Sequence, residues 1–178
     1  MGSRKYRQTF FCLSINTYLS SMELTYLIIH CTATPEGRAV TSTTIRRWHT
    51  SPPPQGRGWK QVGYSDMVHL DGRIENLVPY NDNDTVETWE ITNGAKGFNA
   101  MSRHVVYVGG TDSKGKAKDT RTSAQMATLL SYVKDTIAKH PTIKVAGHNQ
   151  FAPKACPSFD TVKWLMDNGI NSKNIYKP

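Results

Sequence analysis

Leu24-Thr25-Tyr26-Leu27-Ile28-Ile29-His30-Cys31-Thr32-Ala33-Thr34-Pro35 decides the fold class. Its first six residues are leucine, β-branched or aromatic, the composition of a central strand buried on both faces. The strand then breaks into a polar loop, and α/β folds gather functional groups where strands give way to loops. Side-chain alternation sends His30 and Cys31 to opposite faces, so at most one of them serves a given site.

A second stretch has the same plan. Thr142-Ile143-Lys144-Val145-Ala146 reads as a short strand running into Gly147-His148, and the loop continues to Ser158. His148 and Cys156 stand eight positions apart, with Lys154 two residues before the cysteine. Pro153 and Pro157 bracket Lys154 and Cys156, fixing φ at both places and keeping the segment out of helix. A stiff loop presenting His, Lys and Cys looks like half of a zinc site, whose remaining donors must come from elsewhere.

Between these stretches a helix is predicted after an N-cap at Ser42 or Thr43, with Ile45, Trp48 and His49 near its apolar face. Ser51-Pro52-Pro53-Pro54-Gln55-Gly56-Arg57-Gly58 is a helix-free loop. Residues 62–70 read as a strand, turned at Asp71-Gly72 into a return strand over 73–75. Residues 76–103 show little periodicity and predict a long surface loop. Residues 104–108 form another strand, ended by Gly109-Gly110.

Thr122-Ser123-Ala124-Gln125 fits a capping box. It opens a helix whose apolar face is Met126, Leu129, Leu130, Val133 and Ile137, stopped by Pro141. A last helix is expected from Ser158 as N-cap to Gly169, burying Val162, Leu165 and Met166. The expected architecture is therefore α/β: a single domain with a central mixed β-sheet flanked by helices.

At 178 residues with 38% apolar content, the chain can bury a core as one domain. A net charge of +8 favours an anionic partner: nucleic acid, a membrane surface or an anionic cell-wall polymer. No RNP-like aromatic motif, zinc-finger spacing or basic helix supports nucleic acid, and no apolar run approaches a membrane span. Three cysteines are too few and odd for a disulfide framework. Arg4, Lys5 and Arg7 before an apolar run resemble a signal peptide, but Ser14, Asn16 and Thr17 interrupt the run and no A-x-A-like cleavage site follows. Residues 1–21 are set apart as an N-terminal extension of uncertain status, leaving 22–178 as the domain.

Catalytic zinc typically takes three protein ligands and leaves a fourth position open. Of six histidines, His30 and His148 end predicted strands, where neighbouring strands can aim them at one point. His49 lies in a helix, His69 and His104 are strand residues without a loop partner, and His140 is at a helix end.

Five motifs then fall in one order: 28–34 (IIHCTAT), 45–49 (IRRWH), Gly58-Trp59 with Val62-Gly63-Tyr64, 95–99 (AKGFN) and 152–160 (APKACPSFD). Together they resemble the phage-lysozyme-type N-acetylmuramoyl-L-alanine amidases, a group related to peptidoglycan recognition proteins. The resemblance covers residues 24–168. It implies one Zn²⁺ per chain held by His30, His148 and Cys156, with Tyr64 and Lys154 as the catalytic pair and Lys96 and Asn99 as substrate-groove candidates. It implies zinc-dependent hydrolysis of the amide joining N-acetylmuramic acid to L-alanine in peptidoglycan. A monomer made in the bacterial cytoplasm and released to the cell wall in the manner of a phage or prophage endolysin fits this reading.

Plainer roles stand beside these. Cys156 can be a core thiol, Tyr64 a strand aromatic, Lys154 a solvated lysine, Lys96 and Asn99 parts of a surface loop, and Trp48 and Trp59 core residues. A non-catalytic peptidoglycan-binding module is the alternative function, and a regulatory protein-binding role is a third reading that is compatible with catalysis. Some phage members carry one histidine after the Gly-Tyr pair and another before Ala-Lys-Gly; here those positions are Ser65 and Gly94. The segment 75–95 is longer and 51–54 looks inserted, both where substrate would be contacted.

Overall fold

The structure is a computed structural model that describes residues 21–178. The readings of residues 1–20, including Cys12, lie outside it. In chain order the elements are β1 (Met22–Glu23), β2 (Tyr26–Cys31), β3 (Thr34–Pro35), α1 (Ser42–Thr50), β4 (Asp66–Val68), β5 (Ile74–Asn76), β6 (Thr85–Val86), β7 (Ser102–Tyr107), β8 (Gly110–Thr111), α2 (Ser123–Lys139), β9 (Lys144–Gly147) and α3 (Thr161–Asp167).

β2 is the buried strand its composition implied. It lies inside a five-stranded sheet of order β5-β4-β7-β2-β9. β4, β7, β2 and β9 run parallel, and β5 joins antiparallel through the hairpin around Gly72. The architecture is thus α/β with a central mixed sheet and helices on its faces, as expected. One face carries Leu27, Ile29, Val105, Tyr107 and Val145 against Leu129 and Val133 of α2 and Leu165 of α3. The other carries Met67 and Val106 against Ile45 of α1 and Val62, Leu77 and Val78. Alternation along β2 places His30 on this second face.

Several boundaries move, each for a local reason. Thr41, not Ser42 or Thr43, caps α1, its side chain accepting from the Thr44 amide. The strand expected over 62–70 shortens to Asp66–Val68, because the 61–63 backbone is tied to Asn93 and His49 instead of a neighbouring strand. Segment 76–103 is not a surface loop. Leu77, Val78, Val86 and Ala95 are buried, and Val86 sits in β6, which pairs with β1.

The capping box on α2 forms as expected between Thr122 and Gln125. Its buried face is Gln125, Leu129, Val133 and Thr136, with Met126 exposed. Gln125 takes the inward place because its amide donates to the Val68 and Val108 carbonyls, satisfying backbone groups at the strand ends. α3 begins two residues after Phe159, with Asp160 as its cap, because Ser158 sits at φ 70 outside helical space. Leu165 is buried there but Met166 is exposed.

Candidate active site

The ends of β2 and β9, with the loop that follows β9, bring three donors together. His30 Nδ1 lies 3.1 Å from His148 Nδ1 and 3.7 Å from Cys156 Sγ. All three donor atoms lie within 4.8 Å of one another. The parallel register Ile29↔Gly147 explains the pairing, since it sets the next residue of each segment, His30 and His148, side by side.

Cys156 reaches the cluster because its loop folds back. Asn149 donates its amide to the Cys156 carbonyl, Ser158 to Ala155, and Tyr107 Oη to the Pro157 carbonyl. Gly147 permits this close approach: a Cβ there would lie 2.4 Å from Thr161 Oγ1 and 2.8 Å from Pro157 Cδ. Cys31, on the opposite face from His30, still serves the cluster through its backbone, whose N–H donates to Cys156 Sγ at 3.3 Å. Both described cysteines are free thiols.

The donor set fits a zinc ion. Tetrahedral Zn²⁺ with N bonds near 2.0–2.1 Å and S bonds near 2.3 Å requires donor separations of about 3.3–3.6 Å, close to the two short separations here. Burial lowers the pKa of His30 well below its ordinary value, aided by the neighbouring histidines and Lys154. Burial, then Lys154, lowers His148 to about 4. Both imidazoles are therefore neutral near pH 7, the form that binds a metal. Hydrogen bonding with the Cys31 thiol and burial push the Cys156 thiol up, against the Cys31 N–H and the Lys154 charge. Metal binding is what would draw off that proton.

The cluster borders a cavity of about 510 Å³ lined by His148 together with Tyr64, Lys154, Lys96, Trp59 and Arg57. Tyr64 sits with its ring 5.2 Å from His30 and 5.3 Å from His49. Burial, then the nearby thiols, pushes its phenol up, so it enters any chemistry as a neutral hydrogen-bond donor. Lys154 is exposed at the cavity wall. Lys96 lines the same wall, but Asn99 turns its Oδ1 onto the Ala95 amide at 2.8 Å and holds the local turn. Trp48 packs into the core as expected, whereas Trp59 lines the cavity with Arg57 over its ring at 5.2 Å.

Two histidines missed in the sequence belong to this region. His49 accepts the Gly63 N–H at Nδ1, fixing the residue before Tyr64. His104 Nδ1 lies 3.0 Å from His30 Nε2. His49 carried a signal in the motif around residues 45–49. His104 carried none, because its position depends on strand register.

Two histidines at strand ends and a cysteine in the following loop, beside a polar cleft, form a donor set that could hold a metal ion on an α/β sheet. The chain belongs to the N-acetylmuramoyl-L-alanine amidase family, whose profile matches residues 20–159. It is 35% identical over 144 residues to the endolysin of Escherichia phage T7, covering 81% of this chain and 87% of the relative. It is 33% identical over 153 residues to the endolysin of Klebsiella phage KP32, covering 86% and 93%. Among solved structures, the Ph2119 endolysin of a Thermus scotoductus bacteriophage superposes with a TM-score of 0.62 at 24% identity, over 85% of this chain and 88% of that one. Drosophila PGRP-LB does so at 0.56 and 19%, over 78% and 79%; these two likenesses establish the fold. The enzyme hydrolyses the amide between N-acetylmuramic acid and L-alanine, and peptidoglycan is its substrate. No helix among the described residues is long and apolar enough to cross a membrane.

Proposed function

We propose that the amidase reaction runs at one Zn²⁺ held by His30 Nδ1, His148 Nδ1 and Cys156 Sγ, with Tyr64 and Lys154 as the catalytic pair. The observation that supports this best is the convergence of three metal-type donors beside the one cavity wall that also holds Tyr64 and Lys154. When bound, Zn²⁺ supplies Lewis acidity, polarising a carbonyl and making water a stronger acid.

The chain's own residues do the rest. The cavity receives the lactyl–L-alanine amide, and the carbonyl oxygen gains negative charge as the carbon becomes tetrahedral. Lys154 brings a positive charge to that oxygen, and Tyr64 offers it a neutral O–H donor; donors fixed in advance cost no reorganisation at the reaction. The pinned 149–158 loop keeps Lys154 in a fixed relation to Cys156, and His49 does the same for Tyr64 through Gly63. Lys96 and Arg57 add positive charge along the wall, suited to carboxylates of a stem peptide. A cell-wall role with phage-type release fits the endolysin relatives.

The test uses purified protein with zinc and isolated peptidoglycan. Stem peptides should be released without new reducing sugar ends. Release should disappear on chelation, return with zinc, and be absent in Cys156→Ala. Release that survives both chelation and Cys156→Ala overturns the zinc mechanism.

A further inference from the structure

His104 sits on β7, fully buried, with its ring 5.1 Å from that of His30. The parallel register pairs Ile28 with His104 and His30 with Val106, so His30 and His104 share a face and lean toward one another across the strands. Their nearest atoms are His30 Nε2 and His104 Nδ1, 3.0 Å apart. His30 Nδ1 is turned the other way, to His148 and Cys156. One imidazole thus joins the donor cluster through one nitrogen and His104 through the other.

Space for His104 is provided by a missing side chain. A Cβ on Gly94 would lie 2.4 Å from His104 Nδ1 and 2.6 Å from its Cγ. The space a side chain at position 94 would take is filled by an imidazole from a different strand. Ser65 also meets His104: the His104 backbone N–H approaches Ser65 Oγ at 3.4 Å, and Ser65 N donates to the His104 carbonyl.

We infer that His104 is a positioning residue for the metal site: its Nδ1 accepts a hydrogen bond from His30 Nε2–H and so fixes the tautomer and ring angle with which His30 presents Nδ1 to the ion. This deepens the zinc reading above and rests on it. The tautomer logic is closed. A ligating Nδ1 must be bare, so the His30 proton sits on Nε2, and the group facing it must accept. His104 then carries its own proton on Nε2, an atom that is buried with no partner among the described residues. The one side-chain hydrogen bond His104 makes among the described residues is therefore with His30, and hydrogen-bond partners of metal-ligating histidines typically govern metal affinity by about 10–100-fold.

The test compares zinc affinity, by competition with a chromophoric chelator, in wild type, His104→Leu, His104→Asn and Cys156→Ala. Asparagine places Oδ1 close to where His104 Nδ1 lies and restores the acceptor. His104→Leu should bind zinc about 10–100-fold more weakly, and His104→Asn should recover most of the loss. Equal affinity in wild type and His104→Leu, or His104→Asn as weak as His104→Leu, overturns the proposal while leaving the zinc site intact. Wild type that binds no more tightly than Cys156→Ala overturns the zinc reading and this inference together. A measurement without variants covers poor folding: ¹⁵N NMR of the zinc-loaded protein should show His104 bare at Nδ1 and protonated at Nε2. The opposite tautomer overturns the assignment.

Discussion

Asp66 and His30 lie on strands that flank β7, on opposite faces of the same sheet, and are 2% and 1% exposed. Each is the centre of a buried polar cluster, and the two clusters are completed differently. Asp66 Oδ1 accepts from Asn76 Nδ2 at 2.9 Å, and Oδ2 accepts from Tyr80 Oη at 2.9 Å and Tyr132 Oη at 2.6 Å. Every donor meets an acceptor, and the cluster locks the β4–β5 hairpin to α2. Around His30, two imidazole nitrogens and a thiol sulfur crowd together within 4.8 Å of one another, a donor set that could hold a metal ion. A network completed within the protein makes structure; one left open toward a common point makes a site.

The two clusters should respond to substitution in opposite ways. The largest effect is expected from Cys156→Ala: peptide release from peptidoglycan should fall below detection, while the chelated protein loses only about 1 kcal/mol of stability. A variant that melts in chelator would make the open cluster a structural one. Asp66→Ala should do the reverse. It strands two phenols and an amide and should cost about 3–5 kcal/mol in denaturant unfolding, with zinc stoichiometry and activity per folded molecule unchanged. Zinc loss from Asp66→Ala would couple the two faces.

Zinc itself should stabilise through only one cluster. At a thousandfold excess of free zinc over its dissociation constant, wild type gains about 4 kcal/mol, read as a rise in Tm that Cys156→Ala lacks. The smallest effect is alkaline. Burial, then the Asp66 carboxylate, pushes the Tyr80 phenol up to about 12, and the same causes hold the Tyr132 phenol well above its ordinary value. A raised phenol pKa contributes stability that is complete below the unfolded value near 10 and is lost as pH climbs through the folded one. Stability should therefore decline from about pH 10 to 12, and Tyr80→Phe should flatten part of that decline in pH-dependent melting. An unchanged slope would mean that the phenols are not held neutral by this cluster.

Part of the candidate metal site was legible along the chain. His30 and His148 each end a strand, and Cys156 sits in a proline-stiffened loop. Those are local features of composition and spacing, whereas the choice of these three residues as a ligand set came from the resemblance. Tyr64, Lys154 and Lys96 came from motif order, and all three line the cavity. Asn99 came from the same source but is turned onto the Ala95 amide, since a side-chain hydrogen bond is decided by geometry that a motif does not encode. The apolar faces of α2 and α3 were partly misread. Periodicity ranks Met126 and Met166 as core, but the sheet meets α2 through Gln125, which alone could satisfy the Val68 and Val108 carbonyls.

By itself, the sequence determined the α/β class, the strand ends that carry His30 and His148, and the capped helix behind them, because each follows from local propensity and the period of apolar residues. Only the tertiary structure decided what surrounds those donors. Parallel register set His104 beside His30, the absent Cβ of Gly94 gave it room, and the folded loop brought Cys31's amide onto Cys156. These contacts join residues far apart in the chain, and their geometry comes from strand pairing and packing, which no local pattern records.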